Sequence, residues 1–295
     1  MELFIARLFD GLNNGATYAA VAVALVLIYK ATTLINFAQG ELALFGAFLT
    51  YGMAVGWGWP VVLSVIVAMI LSAILAAGIE RTLIRPFPPD AHLPIVIITL
   101  GLFLAMNALS GIIWGFDPLN LPSMFPAGDA FTFGIARLRW RTIGNLATVT
   151  GMLVFLNVVL KRSKIGLAFR AVSTNIESSR LVGIRVGPTL QFGWALAAAI
   201  GTLGANLIIP DLLLDPTVML RVLIFSFAAA TLGGLDSLGG ALIAGLIVGL
   251  VRSLVVGYVG FIPNELSLAT AVVLIMVVLL FKPDGLFGTA RVERV

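Results

Sequence analysis

The chain is a series of long apolar runs separated by short polar breaks. Nine runs approach the roughly 20 residues that a membrane-spanning helix needs: 11–29, 38–55, 60–79, 93–115, 143–160, 189–209, 222–235, 238–256 and 266–281. The seventh is short. Gly233-Gly234-Leu235-Asp236-Ser237 separates it from the eighth within one apolar block. That block reads as two short spans or as one broken, partly re-entrant element, because irregular backbone at membrane depth is tolerated where protein buries it. The pattern predicts an all-α, polytopic integral membrane protein with eight or nine hydrophobic membrane segments.

The longest polar interruption, residues 161–188, reads KRSKIGLAFRAVSTNIESSRLVGIRVGP. Lys161, Arg162, Lys164, Arg170, Arg180 and Arg185 lie in it, six of the chain's 18 cationic residues. Such a concentration marks a cytoplasmic loop. Thr174-x-x-Glu177 has the form of a capping box, and Gly183 stands where a glycine would end the helix two turns later. A capped two-turn helix on a basic loop suits a surface held by another protein, and equally a solvated connector. The other long polar stretch, 116–141, contains Pro118, Pro122, Pro126 and Gly128. The following FTFGIARLRW alternates as a small hairpin around Gly134 would. It too could dock a partner or merely connect.

Charge orients the chain. Threading nine spans with the C-terminus in the cytoplasm places Lys30, Arg81, Arg85, the six cations of 161–188, Lys282, Arg291 and Arg294 inside. Arg7, Arg137, Arg139, Arg141 and Arg221 remain outside, and Arg252 falls within a span near its outer end. Cations concentrate on the cytoplasmic side of membrane proteins, so this threading is favoured and the N-terminus is expected outside. Composition agrees: 60% of residues are hydrophobic and 11% charged, where a soluble domain carries roughly a quarter charged residues. The net charge of +4 follows from basic inner loops facing anionic headgroups, with no nucleic acid invoked. The first residues, MELFIARLFDGLNNG, place Glu2 and Asp10 beside Arg7 and lack the basic stretch of a cleavable signal peptide.

Candidate chemistry is sparse. Cysteine is absent and His92, in a turn beside Asp90 and Pro94, is the one histidine. No HExxH, Cys–His pair or GxSxG elbow can be built, and no lysine follows a glycine as a phosphate loop requires. If the protein's work is powered by ATP, another chain binds it. Glu41 and Asp236 lie near a cytoplasmic membrane edge, and Arg252 is the one buried-looking cation. Ionisable groups in spans are functional candidates, although those near span ends can also snorkel. The amides Asn13, Asn14, Asn107, Gln191 and Asn206 are expected to hydrogen-bond between helices. Small residues four apart (Gly11–Gly15, Gly240–Ala244, Gly245–Gly249) allow close helix approach.

Several stretches together resemble the permease subunits of branched-chain (hydrophobic) amino acid ABC transporters, specifically the shorter, Liv H-type member of the pair. Gly15-Ala16-Thr17-Tyr18-Ala19 leads towards Ile35-Asn36-Phe37-Ala38-Gln39-Gly40-Glu41, similar to the family's INFAxGE, where His is common at position 39. Glu80-Arg81 with Arg85-Pro86 is similar to ER...RP. In the basic loop, Gly166, Arg170-Ala171, Glu177 and Leu181-Val182-Gly183-Ile184 match G..RA...(D/N)..EAA.LLGI. FAAATLGGLDSLGGALIAGLIVGL resembles A..LGG.GS..GA..GG, and Lys282-Pro283-Asp284-Gly285-Leu286-Phe287-Gly288 resembles RP.GLFG. The likeness runs through the whole chain in order. Three departures stand out: Glu177-Ser178-Ser179 for Glu-Ala-Ala, Gln39 for the usual His, and Asp236 for a small residue.

The resemblance implies one permease domain over residues 1–295, in a bacterial inner membrane. It implies half of a pore completed by an M-type permease or a second copy of this chain. It implies two cytoplasmic ATPase subunits, which bind the ATP and magnesium, and a periplasmic amino-acid-binding protein that docks on external loops including 116–141 and 211–221. This chain itself would carry no cofactor, no metal and no catalytic residue. Residues 174–183 become a coupling helix, with Gly166, Arg170, Thr174, Asn175, Glu177, Arg180, Leu181 and Gly183 meeting the ATPase. Polar groups among apolar neighbours suit a substrate with an aliphatic tail; Asn36, Gln39, Glu41 and Asn107 are the expected substrate path. Gly233, Gly234, Asp236 and Ser237 are the expected gating turn. Branched-chain or other hydrophobic amino acids are the expected substrates, with urea, short amides or polar amino acids as the variant and a stand-alone secondary carrier as the alternative of a different class.

Overall fold

The computed structural model describes residues 1–88, 91–258 and 267–288. Asp90, Leu266, Arg291 and Arg294 lie outside the described residues. In chain order the elements are α1 (Glu2–Thr32), α2 (Gln39–Tyr51) running into a wide π turn (Gly52–Gly56), α3 (Val61–Ile79) running into another (Glu80–Ile84), and α4 (His92–Trp114). There follow β1 (Asp129–Phe133), β2 (Ala136–Arg139), α5 (Trp140–Arg162), α6 (Lys164–Thr174), α7 (Ile176–Leu181), α8 (Val186–Ile208), α9 (Val218–Gly233), α10 (Leu238–Tyr258) and α11 (Ser267–Phe281).

Every apolar run carries a helix. Among the described residues, six helical stretches are long and apolar enough to cross a membrane: Glu2–Thr32, Val61–Ile84, His92–Trp114, Trp140–Arg162, Val186–Asp211 and Leu238–Tyr258. Val218–Gly233 and Ala269–Phe281 are apolar but shorter. The helices point large apolar side chains outwards in rows one turn apart, Val62, Ile66, Ile70 and Ile74 on α3 and Leu93, Ile97, Leu100 and Leu104 on α4. Such rows would be an aggregation hazard in water and are the ordinary surface of a helix in lipid. The chain is a mostly helical, polytopic membrane protein. His92 is the first residue of α4 rather than part of a turn.

The chain divides into two compact units, Met1–Val26, Phe125–Thr150 and Arg221–Val295 in one, Leu27–Met124 and Gly151–Leu220 in the other. In the first, α1 and α10 pack antiparallel. Gly11 and Gly15 lie against Leu250 and Leu246, and Gly245 against Ala19. A Cβ on Gly15 would stand 2.7 Å from the Cα of Leu246, so two of the three small-residue pairs, Gly11–Gly15 and Gly245–Gly249, form one seam. Asn145 of α5 donates to Asn13 of α1 at 3.0 Å, and Ser253 of α10 donates to the Arg7 carbonyl at 2.7 Å. The strands β1 and β2 form an antiparallel hairpin, turning at Gly134 with φ +58°. This is the hairpin that the alternation around Gly134 predicts.

In the second unit α2 is wrapped by its neighbours and packs mainly on α3 and α8. Gly46 makes the crossing possible, since a Cβ there would collide with Thr202 and Ser72. Phe48 stacks on Trp114 of α4, with ring centroids 5.0 Å apart. Arg85 ties the end of α3 to the start of α8: its guanidinium pairs with the buried Glu80 carboxylate and donates to the Gly187 carbonyl and the Gln191 side chain. Gln191 in turn donates to the Ala77 carbonyl at 3.0 Å. The ER...RP stretch is thus one charge-assisted junction.

Candidate functional site

The basic loop folds as two helices, not one. Ser163 starts α6, its hydroxyl accepting from the Gly166 amide at 2.9 Å. Gly166 is required where the chain turns out of α5, because a Cβ would collide with the Val159 and Leu160 carbonyls. Phe169 and Val172 are buried and anchor α6, while Arg170 is exposed.

The start of α7 corrects the expected capping box. Thr174 is the last residue of α6, and its hydroxyl donates back to the Arg170 carbonyl at 2.9 Å. Asn175, extended at φ −158° and ψ 111°, is the cap, its Oδ1 accepting from the Ser178 amide at 2.8 Å. A cap residue must leave the helical region to aim its side chain at the first free amides, and Asn does so as readily as Thr. The stop is where the sequence puts it. Gly183 has φ +83° and donates to the Arg180 carbonyl at 3.0 Å, a left-handed end that suits glycine.

Two turns of helix are therefore held at both ends and by the buried Ser179, whose hydroxyl donates to the Asn175 carbonyl at 2.7 Å. Glu177 and Arg180 face outwards, and Leu181 and Val182 are 89% and 75% exposed. Behind them, a hollow of about 300 Å³ is lined by Ala31, Thr32 and Thr33 from the end of α1 and by residues 172–177.

That hollow abuts the place where α1 stops. Thr33 has φ +57°, a left-handed conformation that a β-branched residue adopts only under constraint. Residues 33–38 then lead into α2. Asn36 is buried and folds on its own turn, its Oδ1 accepting from the Ala38 amide at 3.0 Å. Gln39 points to α8 and donates to the Ala197 carbonyl at 3.0 Å. Glu41 faces the other side of α2, where Asn107 of α4 donates to its carboxylate at 3.4 Å. The same Asn107 amide also donates to the Pro216 carbonyl. So the structure brings Glu41 and Asn107 together and leaves Asn36 and Gln39 apart from them. The Asn36 Nδ2 and Gln39 Oε1 atoms are buried with no hydrogen-bond partner.

The turn 233–237 is closed by a stretch far along the chain. Gly234 has φ +95° and Gly285 φ +82°; Gly285 packs on the Gly234 backbone, and Gly234 on the backbone of Gly288 and Asp284. The amides of Leu286 and Phe287 donate to the carbonyls of Leu232 and Gly233 at 2.8 and 3.2 Å. Ser237 caps α10, accepting from Gly240 at 3.0 Å, and Asp236 sits between the two helices. Two motifs distant in sequence thus form one buttress. Sequence reasoning passed over Ser163, Phe169 and Gly193, the last directly against the Phe169 ring. Ser163 was legible as a cap after a basic helix end. The pairing of Phe169 with Gly193 had no local signal.

The model of the family described as branched-chain amino acid transport system / permease component matches residues 7–281. This chain belongs to that family. The high-affinity branched-chain amino acid transport system permease protein LivH of Escherichia coli (strain K12) is 27% identical over 308 residues, covering 99% of this chain and 98% of its own. BraD of Pseudomonas aeruginosa, of the same description, is 26% identical with the same coverage. The probable branched-chain amino acid transport permease protein LivH of Methanocaldococcus jannaschii is 29% identical over 280 residues, covering 91% of this chain and 87% of its own. The fold resembles a chain of PsaBC from Streptococcus pneumoniae, solved in complex with Fab, with a TM-score of 0.50 at 11% identity over 96% of this chain and 93% of that one. As a member of the branched-chain permease family, the chain is a multi-pass inner-membrane protein, and its relatives are permease subunits of transporters. The buried elements around Glu41 and the exposed face of α7 are parts of a permease.

Proposed function

We propose that this chain, read as a single permease domain, is one of two pore-forming subunits of an ATP-driven importer for branched-chain or other hydrophobic amino acids. The observation that carries the reading is α7: a short helix fixed at both ends that presents Leu181, Val182, Glu177 and Arg180 to solvent. Two exposed aliphatic side chains flanked by charges suit the groove of a partner better than water. The partners are two cytoplasmic ABC ATPase subunits, which bind ATP and magnesium, a second permease of M-type or a second copy of this chain, and a periplasmic amino-acid-binding protein. Lipid surrounds the assembly, and nucleic acid has no part in it. The N-terminus is outside, and residues 161–188 and the C-terminus are cytoplasmic.

ATP-driven closure of the ATPases pushes α7, with Gly166, Arg170, Thr174 and Asn175 holding its base and Gly183 its end. The push reaches residues 31–33 across the hollow they share with residues 172–177, and so the linker into α2. Switching of access is a rigid-body tilt of packed helices, the form such transitions usually take. Asn36, Gln39, Glu41 and Asn107 line the substrate path, and Gly233, Gly234, Asp236 and Ser237 form the turn about which α9 and α10 move.

The test is to purify the complex through this subunit, identify its companions, and measure uptake and ATP hydrolysis in proteoliposomes with the binding protein. Leucine-stimulated hydrolysis abolished by Glu177→Arg supports the reading. Stimulation by urea instead keeps the machine and overturns the substrate, and uptake by the chain alone without ATP overturns both.

A further inference from the structure

The compact unit that holds α10 and most of α1 and α9 contains a cation that neither the coupling helix nor the Glu41 path uses. Arg252 lies six residues before the end of α10, within a helix long and apolar enough to span the membrane. Its guanidinium donates to the Tyr18 hydroxyl of α1 at 2.6 Å and lies 4.9 Å from the ring centroid of Phe225 on α9. Tyr18 and Phe225 stack with centroids 4.9 Å apart. Among the described residues no carboxylate pairs with Arg252, and its buried Nε has no hydrogen-bond partner. A second guanidinium, that of Arg7, packs on Gly257 just over one turn along α10, and its Nε is also buried and unpartnered.

A guanidinium in a membrane helix is costly and is normally balanced by an acid or used on a ligand. Ring faces recover only part of that cost. The phenol matters further. Because Tyr18 accepts from Arg252, its own O–H proton is free to donate, so hydroxyl and guanidinium together present donors and positive charge to one anion, flanked by an apolar ring. We infer that Arg252, with Tyr18 and Phe225, is a carboxylate-recognition site on the transport path, taking the α-carboxylate of an amino acid. The inference rests on the importer reading above and sharpens its substrate class. Amino acids carry the anion that the site lacks, whereas urea and short amides do not.

The experiment measures equilibrium binding of leucine and of leucinol, which lacks the carboxylate, to the purified complex in nanodiscs of zwitterionic lipid, without the binding protein. The expected result is that Arg252→Gln weakens leucine binding about tenfold or more, the usual scale for losing a charged hydrogen bond, and leaves leucinol unchanged. Tyr18→Phe, which keeps the stacked ring and serves if the arginine variant fails to fold, shifts leucine alone by a smaller factor. Equal shifts for both ligands, or none, overturn the assignment while leaving the importer reading intact. So does an arginine effect that appears only when anionic lipid is added, which would assign the anion to a headgroup. A wild-type complex that binds urea and not leucine overturns this assignment and the amino-acid substrate class before any substitution is made, while keeping the importer.

Discussion

The ring of Phe169 on α6 lies against the bare backbone of Gly193 on α8, where a Cβ would stand 2.7 Å from Cε2 of the ring and 3.1 Å from the Ala31 Cβ. Three segments meet at that one point: α6 of the basic loop, the end of α1 and α8. Phe169 is 1% exposed, so the slot is filled. Gly193→Val overpacks it at a cost of about 1–3 kcal/mol and shifts α6. The expected outcome is ATP hydrolysis with less uptake per ATP, measured in proteoliposomes. Unchanged stoichiometry would mean that α6 does not transmit the stroke.

The cap of α7 makes a second, local prediction. Asn175→Ala removes the acceptor for the Ser178 amide and costs about 1 kcal/mol, whereas Asn175→Asp keeps it. Hydrogen exchange across 176–181 should quicken about fivefold in the alanine variant. Thr174→Ala deletes only a hydroxyl bonded to its own helix and should change exchange little. A larger effect from Thr174 would restore the capping box that the backbone rejects.

Asn107 serves two acceptors, the Glu41 carboxylate and the Pro216 carbonyl. Asn107→Leu leaves both without this donor, and unsatisfied buried groups cost about 1–3 kcal/mol each. The thermal midpoint of the purified complex should fall. In a double-mutant cycle with Glu41→Gln the two losses should be non-additive by at least about 0.5 kcal/mol. Additive losses would show that the contact carries no energy.

The seam between α1 and α10 sorts its glycines. Gly15→Val drives a side chain into the Leu246 backbone, and the folded yield should collapse. Gly239, also in α10, has open space where its Cβ would be, so Gly239→Ala should be neutral or stabilise by about 0.5–1 kcal/mol. Size-exclusion profiles after graded heating separate the two. Equal tolerance at both positions would refute the seam.

Much of this protein is written locally. Spans of the right length, a basic loop and glycines at turns depend on hydropathy, charge and backbone freedom, which act within a few residues. These placed helices on every apolar run, the hairpin at Gly134 and the stop at Gly183. What a side chain touches is different, because burial in a bundle of apolar helices leaves the choice of partner to packing. Nothing near Glu41 names Asn107 as its donor rather than Gln39, two residues away on the opposite side of α2. Nothing in Lys282–Gly288 says that it closes the turn at Gly234, and nothing around Tyr18 announces Arg252. Even the cap moved by one residue, because Thr174 and Asn175 have similar chemistry and only the backbone angle at the junction of α6 and α7 separates them. Periodicity and charge determine which segments are helices in a membrane. The close approach of glycine-bearing surfaces determines which polar groups meet, because a few bonds made between distant segments outweigh preferences that are nearly equal along the chain.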